Sequence, residues 1–450
     1  MSDKLFFKGT LILTLTGIAS RIMGFFYRIF LSHTIGAQGV GIYQLTLPVQ
    51  GIILAAAATG IQAALSRLCA SFTALKKEKE TRSTLLLGML LSFFISLFLS
   101  AGVYLNADFI AKELLKEARA VALLRILSFS FPLSALHSCV NSFYYARKKA
   151  GLPAFIQLLE QTSRIGSTYI IYQIFLSEGK EISPVIAAGG ALFCEIVSVA
   201  ACFLALGVDF SRENYRPLSE FRDRLKIPDS FSVFLSPLSE IAKIAVPHSA
   251  NRLLLTVLSG IEMLLIPQQL LLWGVNKADA LTIYGIFTGM ALPLILFPAT
   301  ITNSAAVMLM PQVAGLQALG YEKRIRHVIR STLKTCFFFG TFCTLFFFLF
   351  GKPLGFFLFR SETAGIYIKT LAFICPFLYT NTALESILNG LGKPDVCLFH
   401  NVAGICIRIA FVILSIPHMG IRGCFYGMLI SQLILTLLHL IYLNRLNLRI

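Results

Sequence analysis

Twelve apolar stretches, most of them long enough to cross a bilayer, divide this chain from end to end, and short charged segments separate them. A helix needs roughly 20 apolar residues to span the hydrocarbon. A backbone crossing lipid must also satisfy its own polar groups, which runs of this length do as α-helices. The stretches lie at about 9–32, 42–66, 83–105, 121–143, 154–177, 184–206, 238–272, 280–310, 331–350, 365–388, 395–416 and 423–443. The seventh and eighth exceed a single span, so they are expected to tilt, kink or break. With 56% hydrophobic and 14% charged residues and a mean hydropathy of +0.77, the chain reads as an all-α integral membrane protein of about 12 transmembrane helices.

The net charge of +17 would suggest nucleic acid in a soluble protein. Here the charge sits in short loops and follows an alternation. One set of loops and ends carries 22 basic residues, among them Lys76, Lys77, Lys79, Arg147, Lys148, Lys149 and Arg324. The alternate set carries 8, among them Lys112, Lys180, Lys277 and Arg422. The positive-inside rule then puts the first set, and both termini, in the cytoplasm of a bacterial cell, with the chain in its plasma membrane. No basic groove with stacking aromatics is present, so no nucleic-acid partner is expected. Ten cysteines fall in or beside apolar spans without CxxC or Cys/His spacing. They read as small apolar side chains, with no metal site.

The longest hydrophilic stretch, 207–237, divides the chain into six-helix lobes at 1–206 and 238–450, with a cytoplasmic linker between them. An internal echo supports this division. A shift of 244 residues pairs Arg125 with Lys369, Leu127 with Leu371, Phe129 with Phe373, Pro132 with Pro376 and Ser142 with Ser386. It also pairs Lys149 with Lys393, Phe155 with Phe399, Arg164 with Arg408 and Ile165 with Ile409. Paired repeats with a site at their interface mark many transporters.

Arg21 and Arg28 interrupt the first apolar stretch. A charge at bilayer depth costs on the order of 3 kcal/mol on the insertion scale. Seven residues apart, the two share one helix face. A guanidinium stays charged and bonds phosphate through two N–H groups, so the pair suits an anionic phosphate or diphosphate. The alternative is that one snorkels while the other pairs with a buried carboxylate. In the fifth stretch Glu160 and Arg164 are four residues apart in the favourable order for an ion pair, which serves structure as well as substrate contact. Glu195 is a second candidate partner for Arg164.

The seventh stretch holds Arg252 and Glu262, ten residues apart and too distant for a simple pair. Three roles are open to Glu262: coupling-ion ligand, counter-ion to Arg21 or Arg28, or packing. Arg21, Arg28, Arg252 and Arg164 are thus the candidate substrate contacts, and Glu262 and Glu160 the candidate ion-coupling residues. Gly285 and Gly289 in the eighth stretch permit close helix contact. Pro293, Pro298 and Pro311 follow, and the carbonyls they free need a partner. No GxxxxGK[ST], HExxH or GxSxG sequence occurs, so neither ATP-driven transport on this chain nor hydrolysis is expected. The segment 105–120 reads as an amphipathic surface helix.

These residues resemble the stage V sporulation protein B branch of the multidrug/oligosaccharidyl-lipid/polysaccharide flippase superfamily. The resemblance rests on KGTLILTLTGIASRIMGFFYRIFLSHTIGAQGVGIYQLTLPV, LLEQTSRI, IEMLLIPQQLLLWG, ALTIYGIFTGMALPLILFPATITNSAAVMLMPQVA and SILNGLGKPD. It implies two pseudo-symmetric six-helix lobes around a central cleft lined by helices one, two, seven and eight. It also implies alternating access and a lipid-linked (undecaprenyl-diphosphate) saccharide or peptidoglycan precursor as cargo. Arg21 matches the arginine of the Ser-Arg-x-x-Gly motif in lipid II flippases, and Arg28 sits one residue from their second arginine. The chain departs from them in helix two, where Arg67 is the only arginine, and in helix eight, which has none. It also has Gln268 and Gln269 where relatives show a basic residue, and stops at twelve helices. No cofactor is expected beyond a coupling cation, Na⁺ or H⁺. Membrane lipids and cell-wall synthesis enzymes are the expected partners. The competing readings are a multidrug extrusion-type cation antiporter and a non-transporting scaffold of cell-wall synthesis.

Overall fold

A computed structural model describes residues 2–212 and 231–446, with the backbone alone described for 2–14, 212, 231–237 and 307. Every regular element among the described residues is helical. We number the long helical bodies in chain order: α1 (Ser2–Thr34), α2 (Gly36–Ala74), α3 (Glu78–Leu105), α4 (Ala120–Ala146), α5 (Gly151–Ser177) and α6 (Val185–Arg212). These are followed by α7 (Phe231–Leu272), α8 in two parts (α8a, Lys277–Leu296; α8b, Ala299–Ala318) and α9 (Glu322–Phe359). The last three are α10 (Glu362–Gly390), α11 (Pro394–Met419) and α12 (Ile421–Arg445). Among the described residues, ten helices are long and apolar enough to cross a membrane. The bodies outside that set include α1 and α5, which carry Arg21 and Arg28, and Glu160, Gln161 and Arg164.

Several helices outrun the apolar stretch that announces them. The helix α9 begins at Glu322 and runs 38 residues, because its charged first turns, Glu322 to Arg330, still keep helical spacing with Ile325 and Ile329 buried. The expected linker 207–237 falls mainly outside the described residues, and its ends belong to α6 and α7. The expected surface helix over 105–120 is shorter than its pattern suggested. Helical turns cover only Ala107–Phe109 and Ile110–Leu114, and Lys116 then adopts a positive φ of 53°. Ion pairs fix this bend. Asp108 meets Lys112 at 3.1 Å and Arg125 at 2.6 Å, and buried Glu117 accepts from Arg119 at 2.7 Å. The Lys112 hydrogen bond, aided by Arg125, holds the Asp108 carboxyl below its ordinary range.

The interruptions of α2 and α8 have local causes. In α2 the helix widens over Ala55–Thr59, and the Ser92 hydroxyl of α3 donates to the Ala57 carbonyl at 2.9 Å. In α8 a wide turn over Ile286–Ala291 precedes a break at Phe297–Pro298, because proline supplies no N–H to the helical ladder. The Tyr379 hydroxyl donates to the Ile295 carbonyl at 2.8 Å beside this break.

By contact the chain groups into two compact units, Met1–Gly24 with Thr46–Thr256, and Phe25–Leu45 with Val257–Ile450. In the first, α3 packs on α4, α4 on α6, α5 on α6, and the later part of α2 on α3 and α4. Its core includes Leu65, Leu85, Phe143 and Ile156, with Ile241 and Ala245 of α7. In the second, α9 packs on α10, α10 on α12, α11 on α12, and α8b on α10. Val313, Ile329, Leu384 and Leu388 form part of its core. Each pairing of the first unit recurs six helices later.

The repeat reaches single hydrogen bonds. Ser100 of α3 donates its hydroxyl to the Ser128 carbonyl of α4. Thr344 of α9 donates to the Ala372 carbonyl of α10 at 2.8 Å. Both members of the second bond stand 244 residues after those of the first. The echo therefore extends beyond the segment where sequence alone revealed it.

Candidate functional site

Arg21 and Arg28 lie on α1, which runs unbroken from Ser2 to Thr34, so both stay on one face, two turns apart. Arg21 is exposed and Arg28 half-buried. Arg21 falls in the first unit and Arg28 in the second. Around Arg21 the first unit supplies further polar atoms. Ser20 is 4% exposed, and its Oγ has no hydrogen-bond partner among the described residues. A Cβ on Gly24, one turn after Ser20, would stand at ordinary contact distance, 3.9 Å, from the Gln161 side-chain oxygen of α5. That Gln161 oxygen is buried and also lacks a partner among the described residues. The orphaned Gln161 oxygen thus lies near Gly24 of α1, and the two orphaned atoms belong to the sequence neighbours of Glu160 and Arg21. Buried polar atoms are nearly always satisfied, by water where no protein group serves.

On α5, Glu160 accepts from Arg164 Nη2 at 2.5 Å, the expected pair one turn apart. Arg164 Nε also donates to the Cys194 thiol of α6 at 3.5 Å. Glu195 engages His137 of α4, with Nδ1 at 2.7 Å from its carboxylate. The ligand atoms of Glu160, Cys194 and Glu195 lie within 4.8 Å of one another, close enough to hold an ion. The Arg164 guanidinium bonds two of the three, so the cation held there is the protein's own.

In the second unit, Glu262 of α7 accepts from Arg408 Nε of α11 at 2.8 Å. Glu262 is 8% exposed, so this is a buried charge with its counter-ion at contact distance. Removing one partner of such a pair costs about 3–5 kcal/mol, because the other charge stays buried. Arg252 lies ten residues before Glu262, is exposed, and belongs to the first unit. Also in the second unit, the start of α2 meets α8a across glycines. A Cβ on Gly285 would collide with the Ala37 carbonyl oxygen, and one on Gly289 with the Val40 side chain. The Gly-x-x-x-Gly of α8 therefore serves the close contact expected of it.

Sequence reasoning did not assign a partner to Arg408, and it passed over His137, Ser20 and the orphaned Gln161 oxygen. A signal existed for the first two. Arg408 is the repeat mate of Arg164, and His137 is a titratable group within an apolar span, which is costly unless paired.

This bundle matches known proteins. The profile of the polysaccharide biosynthesis protein family covers residues 6–317. The chain belongs to that family. This family member is 24% identical over 445 residues to Stage V sporulation protein B of Bacillus subtilis (strain 168), across 98% of its own length and 83% of that protein's. It is 23% identical over 438 residues to the Lipid II flippase MurJ of the same organism, across 93% and 78% of the two chains. It shares its fold with a multidrug resistance MATE family transporter of the MOP superfamily, solved in an inward-facing conformation. That likeness has a TM-score of 0.71 at 15% identity and covers 95% and 94% of the two chains. The family member is a multi-pass membrane protein with the fold of a MOP-superfamily transporter.

Proposed function

We propose that the protein carries a saccharide or peptidoglycan precursor, linked to undecaprenyl diphosphate, across the bacterial cytoplasmic membrane by alternating access. The observation behind this reading is the placement of Arg21 and Arg28 on one face of an unbroken helix of membrane-spanning length. A diphosphate offers the oxygen geometry that guanidiniums bond best. The resemblance to a protein named as a lipid II flippase supports the same cargo class. The exposed Arg252 adds positive charge on α7, and a coupling cation, Na⁺ or H⁺, or the membrane potential supplies the driving force. An inside-negative potential favours outward movement of an anion by roughly 2.3 kcal/mol per charge at 100 mV. Both termini then face the cytoplasm, and cell-wall synthesis enzymes receive the cargo.

Purified protein in vesicles should bind and flip undecaprenyl-diphosphate lipids in preference to cationic dyes. Arg21→Ala should reduce flipping at least tenfold while the protein stays folded in the membrane. Arg21→Lys should restore part of it, because an ammonium cannot make the paired bond. Preferential export of a cationic dye, or full flipping by Arg21→Ala, would overturn the proposal.

A further inference from the structure

The helices α4 and α6 pack together and carry polar side chains at helical spacing along the seam. On α4 these are His137, Asn141 and Tyr144; on α6 they are Glu195, Ser198, Cys202 and Asp209. Intervals of three, four and seven residues keep each set on one face. One end of the ladder is the His137–Glu195 pair, 8% and 5% exposed. The other end is a cavity of about 450 Å³ whose lining includes Tyr144, Lys149, Leu204, Val208 and Asp209. There the Lys149 ammonium donates to Asp209 at 3.0 Å. Between the two ends, Asn141 Oδ1 and Ser198 Oγ are buried with no hydrogen-bond partner among the described residues. The Cys202 thiol lies 4.0 Å from the His137 carbonyl. Orphaned polar atoms between a buried charge and an open cavity are where bridging waters find partners.

The geometry points to a proton pathway along the α4–α6 seam, leading from the cavity at Lys149 and Asp209 to a proton-binding site at the His137–Glu195 pair. Buried histidine–carboxylate chains in membrane helices are costly as packing and suited to proton relay. A hard metal cation fits poorly, because it wants six or more oxygens and the pair offers one carboxylate. With Glu195 ionised, His137 Nδ1 donates its hydrogen to the carboxylate and Nε2 keeps a free lone pair. An arriving proton adds at Nε2, and the pair passes from a net charge of one negative to neutral. Its departure restores the first state, and only an N–H bond forms or breaks. The charged groups facing the pair are Glu160 and Arg164 of α5, and the uncharged but titratable thiols of Cys194 and Cys202 on α6 lie beside them. The helices α2 and α3 bring Leu65, Cys69 and Leu85 to the core beside α4.

The repeat keeps this seam but changes the chemistry of its rungs. Asn381 stands 244 residues after His137 and donates to Gln432 Oε1 of α12 at 2.7 Å, a neutral amide pair. On α12 the displacement falls to 237; a single residue, Gly420, joins α11 to α12 where seven join α5 to α6, which accounts for six of the seven positions. Gly190 and Gly427, 237 apart, each meet the preceding helix, at Thr168 and Phe411. In these registers Tyr144 and Ser198 correspond to Leu388 and Leu435, both buried. The second unit thus has apolar side chains at these two rungs, while Glu385 and His439 stand in the registers of Asn141 and Cys202.

The proposal rests on the chain being a transporter and is independent of its cargo. The test uses the full chain in lipid nanodiscs without cargo, with a pH-indicator dye read by stopped flow after a jump from pH 8 to pH 5. The double variant His137→Asn, Glu195→Gln copies the pair that the second unit already uses, so the fold has a precedent for it. Wild type should take up about one more proton per chain than the double variant, since a histidine is the group that titrates in this range. Ser198→Leu, which keeps the pair and copies Leu435, should bind the same number of protons about tenfold more slowly. Equal proton uptake by wild type and the double variant, or an unchanged rate in Ser198→Leu, would overturn the pathway. Failure to bind undecaprenyl-diphosphate lipids would overturn the cargo reading and leave these results standing.

Discussion

The two units share a frame and differ in their charges. Arg164 and Arg408 are repeat mates, 244 residues apart, yet they choose different partners. Arg164 bonds Glu160, one turn back on its own helix, and Cys194 on α6. Arg408 reaches across to Glu262 on α7. What stays constant is closer to the backbone: the Ser100–Ser128 and Thr344–Ala372 bonds and the order of helix contacts. A bundle held by hydroxyl-to-carbonyl bonds and interdigitated apolar faces can exchange its buried ionic groups without losing its architecture. The charged positions are therefore where the two units are free to take different tasks.

The largest effect should separate the two arginines. Glu262→Gln leaves the Arg408 guanidinium buried without its carboxylate and should cost about 3–5 kcal/mol. Glu160→Gln breaks a more exposed pair on a single helix and should cost about 1 kcal/mol or less. Thermal unfolding in detergent reads both, and equal losses would break the contrast. Replacing both Glu262 and Arg408 with Leu and Met should recover most of the loss, because no unpaired charge remains.

A smaller effect concerns close approach. Gly285→Ala drives a methyl into the Ala37 carbonyl and should destabilise by about 1–3 kcal/mol. Gly166→Ala on α5 meets nothing within 4 Å. It should stabilise by about 0.5–1 kcal/mol, the helix preference for alanine. The smallest effect tests the shared frame directly. Ser100→Ala and Thr344→Ala should each cost about 0.6 kcal/mol, the average for a hydrogen bond between membrane helices. If denaturant titration found one several times larger than the other, the equivalence of the two seams would be lost.

The helices were legible because an apolar run of bilayer length has one outcome in lipid. The α8 break was legible from Pro298, and the glycine contact from Gly285 and Gly289. The Glu160–Arg164 pair was legible because both partners share a helix, where spacing alone sets their distance. Glu262 and Arg408 stand 146 residues apart, and no local pattern could join them. His137 and Glu195 were hidden for the same reason. Their contact depends on how α4 packs on α6, a long-range fact that periodicity along either helix does not contain. The segment 105–120 misled because its pattern fits a helix, while the Asp108 and Glu117 ion pairs hold a bend instead.

The grouping of the chain by contact has a consequence for its birth on the ribosome. The first unit takes Ile241 and Ala245 into its core, and Gly60 of α2 lies against the Ala245 carbonyl. Its core therefore stays open until synthesis has passed residue 256. Residues 25–45 are made almost at once, yet they belong with a unit that begins again only at residue 257. Early in translation that segment waits in the nascent chain without its final neighbours, with Gly41 offering a narrow surface that α8a later fills. Chains that stall between residues 206 and 256 would present this unfinished surface to membrane quality control. A construction defect there should show itself as rapid proteolysis of the nascent product rather than as a slow transporter.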